Sequence, residues 1–229
     1  MIKLTGLLLG LSLTSAFAGG PMLPTDSRQL IRVITSDWSV VTGQLQRFER
    51  DDSSGAWRPV GQAIRIVVGK NGMALDKQEG DGKAPAGVFS LGATFGYQTP
   101  TAAWSNPFIL STQSLVCVDD PKSKHYNQIL DESVTTKDWD SAERMKRTDV
   151  LYRYGLVVNY NTSPAVAGKG SCIFVHIWRN SSTGTAGCTA MTEKNLTALL
   201  AWINPSKKPQ LVQYPQAEYD RLKSSGKLP

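Results

Sequence analysis

The sequence predicts a mainly β, sandwich-like domain with a few helices, and three observations carry that prediction. Short runs rich in β-branched and apolar residues recur from Gln29 onward, each bounded by Gly, Asp or Asn. A strong apolar stripe of helical period occurs once, at Leu196, Leu199, Leu200 and Ile203. A chain of 229 residues with 41% hydrophobic and 19% charged residues can bury one core and is not a disordered, solvated polymer.

The chain opens on an address. Lys3 supplies a short positive segment, residues 4–17 are apolar and Leu-rich, and Ala16-Phe17-Ala18 offers the small residues that a signal peptidase reads. The run is shorter than the roughly 20 apolar residues of a membrane span. Residues 1–18 are therefore expected to be a cleaved signal peptide, with the mature chain in the periplasm or secreted and without a membrane span. Residues 19–28 read as an exposed lead-in, 29–214 as one folded domain, and 215–229 as a polar, frayed C-terminal tail.

Within the domain, residues 30–34 form the first apolar run, residues 39–48 alternate loosely, and residues 64–68 end at the turn Gly69-Lys70-Asn71-Gly72. Residues 88–91, 108–110, 115–118, 156–158 and 172–175 continue the series of short strands. Residues 136–147 are polar, and the spacing of Glu143 and Arg147 predicts a helix there. Residues 192–203 predict the better helix, with Thr192 as N-cap and Pro205 beyond the end.

Composition narrows the chemistry. Three Cys without Cys-x-x-Cys spacing exclude a zinc ribbon, and two His argue against a multi-histidine metal site. Nothing in the sequence calls for a cofactor. The net charge of +6 is mild, and its Lys and Arg are scattered and not interleaved with aromatics, which argues against nucleic acid as a partner.

Two short blocks could do chemistry. An apolar strand carries His176 in Phe174-Val175-His176-Ile177-Trp178-Arg179; after a small-polar loop comes Gly184-Thr185-Ala186-Gly187-Cys188-Thr189. A thiol attacks as its thiolate, so a cysteine nucleophile needs a base within hydrogen-bond reach, and a neighbouring glycine lets backbone N–H groups turn toward an oxyanion. Spacing alone leaves a buried structural thiol and a core histidine as alternatives. His125, in a charged loop, is the competing base. Residue order prunes the thiol enzymes: papain-like enzymes place Cys before His, and sortases need an Arg soon after Cys, whereas the next Arg here is Arg221.

The block resembles the active-site motif of the L,D-transpeptidase (YkuD-like) catalytic domain: a His, a loop, then Ser/Thr-His-Gly-Cys. The segment Gly82-Lys83-Ala84-Pro85-Ala86-Gly87-Val88-Phe89 is similar to that family's Thr-Pro-x-Gly-x-Phe strand entry. The chain departs from the pattern at Ala186, where the family has His, and at Thr189-Ala190-Met191, where an Arg often follows the Cys.

The resemblance implies that 29–214 is a single L,D-transpeptidase-like catalytic domain with a helix just after the catalytic Cys. It implies acyl transfer on peptidoglycan stem peptides: Cys188 attacks the L,D bond before a terminal D-Ala, and His176 activates the thiol and protonates the departing amine. N–H groups around Gly187 hold the oxyanion and the Ile177 carbonyl orients His176. An amine acceptor makes this an L,D-transpeptidase; water makes it an L,D-carboxypeptidase; carbapenem-type β-lactams become candidate covalent inhibitors. Thr185, Trp178, Arg179, Tyr126, Asn127 and Asp131 are candidates to bind the stem peptide, with Asp119 and Asp120 nearby in sequence. A toxin with the same chemistry and a non-catalytic wall-binding module are the rival readings. Cys117 and Cys172 either form a disulfide, leaving Cys188 as the free thiol, or stay as two buried thiols.

Overall fold

The computed structural model describes residues 22–100 and 104–229, so the signal segment lies outside the described residues. Among the described residues, fourteen strands and two α-helices follow one another. They are β1 (Gln29–Thr35), β2 (Thr42–Glu49), β3 (Arg58–Val67), β4 (Met73–Ala74), β5 (Ala84–Pro85), β6 (Gly87–Gly96) and β7 (Phe108–Leu110). Then come β8 (Leu115–Val118), β9 (Ile129–Asp131), β10 (Ala142–Arg144), β11 (Tyr154–Val158), β12 (Phe174–Ile177) and β13 (Thr189–Met191). Helix α1 (Glu193–Trp202), β14 (Gln210–Pro215) and helix α2 (Gln216–Ser224) complete the chain. The mainly β prediction holds.

The large sheet runs β11-β12-β13-β3-β2-β1-β14-β6-β7, and β11 also pairs with β6. The sheet therefore closes on itself, which leaves few free edges to recruit another chain. Apolar burial drives this closure: Leu30, Ile31, Val33, Ile64, Ile66, Val88, Leu156, Val175, Leu211 and Val212 belong to one buried cluster, with β14 and the start of β1 buried on both faces. Helix α1 seals its end with Leu196, Leu199, Leu200 and Ile203, the stripe read from the sequence, and Thr192 caps it by accepting the Asn195 N–H. Beneath β13, the Thr189 hydroxyl donates to Gln213 Oε1 at 2.6 Å and Gln213 Nε2 donates to the Pro85 carbonyl at 2.8 Å, so these buried polar groups are paired.

A second sheet, β10-β8-β9, builds a separate layer. Its inner face joins Phe95, Cys117, Met145, Tyr152, Cys172, Phe174 and Cys188 in a second apolar cluster. Gly155 makes room for it: an added Cβ would sit 2.2 Å from the Phe95 ring. Cys117 and Cys172 form a disulfide, which decides between the two alternatives left by the sequence.

Two expectations are corrected. Residues 136–147 are not helical; Glu143 pairs across to Cys117 within β10, and Arg147 turns to Asp149. The segment lacks a 3.6-period apolar stripe, so two anchors, Trp139 and Met145, bury it as extended chain. Nor does 215–229 fray as a polar tail. It forms α2, which buries Tyr219 and Leu222, with Leu228 beyond it, and the Tyr219 hydroxyl donates to the Pro229 carbonyl.

The disulfide spans 55 positions of sequence, a loop whose closure in the unfolded chain is worth about 4 kcal/mol. Cys117→Ser with Cys172→Ser is expected to lower the urea-unfolding free energy by that order. Protein unfolded without reductant is expected to titrate one thiol per chain with Ellman's reagent, and three would contradict the bond.

Candidate active site

Strand β12 sets the geometry. Alternation along it sends Val175 and Ile177 into the main core and leaves Phe174 and His176 on the opposite face, toward the second cluster. β12 and β13 run parallel with His176 level with Ala190, so Cys188, just before β13, falls alongside Phe174. The Cys188 sulfur accepts the Phe174 N–H at 3.3 Å, and its own S–H points to the Cys172 carbonyl at 3.6 Å. His176 Nδ1 donates to the Ile177 carbonyl at 2.8 Å, which leaves Nε2 as the acceptor nitrogen.

Gly187 matters for access. A Cβ there would lie 3.0 Å from the Lys83 carbonyl oxygen and 3.3 Å from Lys77 Nζ, so only glycine lets the turn before Cys188 pass this close. Thr185 straps the same turn: its hydroxyl donates to the Cys188 carbonyl at 2.6 Å and accepts the Gly187 N–H at 3.1 Å. The Gly187 N–H is thus engaged within the protein, and the glycine's contribution is conformational.

Both reactive groups are buried, Cys188 to 5% and His176 to 6% exposure. Burial dominates their titration. It pushes the Cys188 thiol up to about 12, reinforced by Glu143 and opposed by the Phe174 N–H, Lys77 and Tyr152. It pushes His176 down to about 4, against the Ile177 carbonyl that favours the cation. The resting pair is a neutral thiol and a neutral imidazole, with a base nitrogen available.

Tyr152 occupies the centre of the site. Its ring stands edge-on to His176 at 5.1 Å and to Phe174 at 5.7 Å, and the Arg147 guanidinium lies 5.2 Å over it. Its hydroxyl donates to Glu143 Oε2 at 2.6 Å. Burial holds the phenol well above its ordinary range, and burial also raises the Glu143 carboxyl. Lys77, itself buried, is paired with Asp81 at 2.7 Å.

Two clefts meet at Cys188. One, of about 270 Å³, is lined by His176, Tyr152, Arg147, Arg179 and Thr185. The other, of about 190 Å³, is lined by Lys70, Lys77, Glu79, Asp119 and Gly187. Glu143, Ala186 and Cys188 border both. A wider groove of about 830 Å³ lies over β1–β3, on Arg32, Gln44, Gln46 and Arg65, and neither Cys188 nor His176 lines it.

The structure thus gathers Cys188, His176, Gly187, Thr185, Ile177 and Arg179, and it separates others. Trp178 flanks β12 and donates its N–H to the Met191 carbonyl, outside both clefts. The Tyr126 hydroxyl donates to Glu79 Oε2, behind the second cleft. Asn127, at φ 63°, ties the Tyr160 and Asn161 carbonyls to the Cys172 N–H. The Asp131 carboxylate accepts from Ser133, and Asp120 caps Lys122 and Asp140, so both organise turns. His125 stacks edge-on to Trp139 in that layer. As site residues, Glu143, Tyr152, Arg147 and Lys77 escaped the sequence reading, because no spacing rule links one strand of the second sheet to residues of separate connecting loops.

The depression of His176 carries a sign. Its folded value lies below its unfolded one, so its contribution to stability is full above about pH 6.5 and is lost as pH falls toward 4, by about 3 kcal/mol in all. The unfolding free energy of the protein is expected to drop by about that much more than that of His176→Gln over this window, as urea titrations at each pH would read. Equal losses in the two proteins would contradict the buried neutral imidazole.

With the geometry described, comparisons with known proteins become informative. The family model YkuD, the L,D-transpeptidase catalytic domain, matches residues 36–212. No curated protein matches the chain. Among solved structures, the crystal structure of the helical cell shape determining protein Pgp2 (K307A mutant) from Campylobacter jejuni is similar over 83% of this chain, at 16% identity and a TM-score of 0.43. The match covers 48% of that protein, so this chain spans about half its length.

Proposed function

Because the chain belongs to the L,D-transpeptidase catalytic domain family, whose members perform cysteine catalysis on peptidoglycan, we propose that it is an exported L,D-transpeptidase with Cys188 as nucleophile and His176 as base. One observation carries this reading: thiol and imidazole line a single cleft, with Nδ1 held by the Ile177 carbonyl and Nε2 left as acceptor.

The steps follow from the positions. A stem peptide enters with its terminal D-Ala in the cleft of His176. Nε2 takes the Cys188 proton as sulfur attacks the carbonyl before that residue, so charge need not reside on the buried thiol beforehand. The Cys188 N–H is the backbone donor available to the oxyanion, since the Gly187 N–H is held by Thr185. A single such donor is typically worth about 10²–10³ in rate. His176 then protonates the departing amine, leaving a thioester. Arg179, exposed on the same cleft, can pair with the carboxylate of the departing residue.

The second cleft supports transfer over hydrolysis, because it opens Cys188 to an acceptor from the side away from the leaving group. An amine there resolves the thioester into a cross-link between stems. Water entering that cleft, of about 190 Å³, in place of an amine would make the protein an L,D-carboxypeptidase, the second reading. Carbapenem-type β-lactams, which present a strained acyl group to the same thiol, are expected covalent inhibitors. The place of action is the periplasm or cell exterior, given the leader read in residues 1–18.

Incubation with disaccharide-tetrapeptide, followed by mass spectrometry, tests this. Loss of one D-Ala with the native protein but not with Cys188→Ala is the expected outcome, with stem–stem dimers if an amine resolves the thioester. An untouched substrate with both proteins would overturn the reading.

A further inference from the structure

The Cys188 sulfur has few groups able to stabilise it once it becomes negative. Its one short donor is the Phe174 N–H at 3.3 Å. The Tyr152 hydroxyl also faces it, but a phenol has a single hydrogen, and that hydrogen is directed to Glu143 at 2.6 Å. Whichever partner receives it, the other is left with only the phenol's lone pairs.

We propose that Glu143 is a positioning residue that acts through Tyr152, switching the phenol hydrogen between its own carboxylate and the Cys188 sulfur. The proposal rests on Cys188 being the nucleophile. As a carboxylate, Glu143 accepts the phenol hydrogen, and its charge opposes the thiolate. As a carboxylic acid, with its proton drawn from solvent, it donates to the Tyr152 oxygen and the phenol hydrogen turns to sulfur. The Cys188 proton meanwhile passes to His176 Nε2, so no further reactant is needed. Two carboxylates face Glu143 and favour its neutral form, Asp119 beyond β8 and Glu79 in the loop between β4 and β5. Arg147, beyond β10, opposes them from the other side, and Lys70, Lys77, His176 and Arg179 also line the two clefts that Glu143 borders.

Glu143 cannot easily swing away. It lies opposite Cys117 in the β10–β8 register, Cys117 is bonded to Cys172, and the Cys172 carbonyl meets the Cys188 S–H. The sheet that delivers the carboxyl is thereby tied to the nucleophile that it serves.

With Cys188 as the one free thiol, its alkylation by iodoacetamide reads thiolate formation without any peptidoglycan substrate. This separates the switch from the proposed reaction, because the rates stay readable even if no stem peptide is turned over. Rates would be measured between about pH 4 and pH 9 for the native protein, Glu143→Gln, Glu143→Ala and Tyr152→Phe combined with Glu143→Gln. Gln is always neutral and can donate to the phenol oxygen; Ala is neutral and cannot. Near neutral pH, Glu143→Gln is expected to react about tenfold faster than native, one unit of thiol pKa. The ratio should fall toward one as acid protonates Glu143, and Glu143→Ala should lag behind Glu143→Gln. In the Tyr152→Phe background most of the gain should vanish. Equal rates for the Gln and Ala variants, or a native-to-Gln ratio that does not move with pH, would overturn the switch. So would an undiminished gain with Tyr152→Phe.

Discussion

The parallel pairing of β12 with β13 is the constraint on which the site depends. It fixes His176 level with Ala190, and the turn before β13 then has one place to put Cys188, beside Phe174. A one-residue slip would send His176 into the main core in place of Val175 and Ile177 and turn the imidazole away from the thiol. Register is secured from both sides. The closed sheet holds β12 against β11 and β13 against β3, and the Thr185 hydroxyl fastens the connecting turn to the Cys188 carbonyl. The candidate site therefore sits on paired strands, and the loop between them is organised by Asn180 Oδ1, which accepts from Ser182 and Thr183.

Burial then dictates what kind of nucleophile this can be. A thiol near 12 and an imidazole near 4 do not exchange a proton at rest, since separated charges would be desolvated between Phe174, Tyr152 and the disulfide. On the proposed reaction, charge would appear when a carbonyl arrives and would be met by neutral dipoles: an N–H from β12, a phenol, and backbone beyond Gly187. Such dipoles are already oriented and need no reorganisation as the sulfur becomes an acyl thioester. The Lys77 ammonium, close to Gly187 and paired with Asp81 at 2.7 Å, lowers the thiol pKa but does not outweigh burial.

Much of the closed sheet was legible in the sequence, but of the second layer only β8 was. Residues 115–118 were read as a strand and form β8, and the helical stripe from Leu196 to Ile203 forms α1, because in each the apolar period matches the element. The run at 172–175 begins two residues early: Cys172 adopts φ 54°, so the ladder starts at Phe174. Residues 136–147 were misread since Glu143 and Arg147 have helical spacing but no apolar stripe beneath them. What decides their conformation is pairing with β8, a contact with no local signature. The α2 segment was misread for the opposite reason: Tyr219 and Leu222 are few among charged neighbours, yet three residues apart they face the same way and suffice to dock it. In the site, Cys188 and His176 stood out because each lies in a motif. Tyr152 and Glu143 are an ordinary aromatic and an ordinary acid until the fold places them.

The disulfide has a consequence for how the site is assembled. Cys117 belongs to the small sheet and Cys172 to the approach to β12, so the bond is the covalent link between the layer bearing Glu143 and the strand bearing His176. Without it, the small sheet would rest on the second apolar cluster, whose members include Cys188 itself, and on hydrogen bonds such as those of Asn127 and Tyr126. Loosening that cluster would hydrate the sulfur, lower its thiol pKa and at the same time remove the Tyr152–Glu143 pair from its side. Stability of this layer and reactivity of the nucleophile are thus set by the same contacts. An oxidising compartment, where the bond persists, is the environment in which the buried neutral pair is maintained.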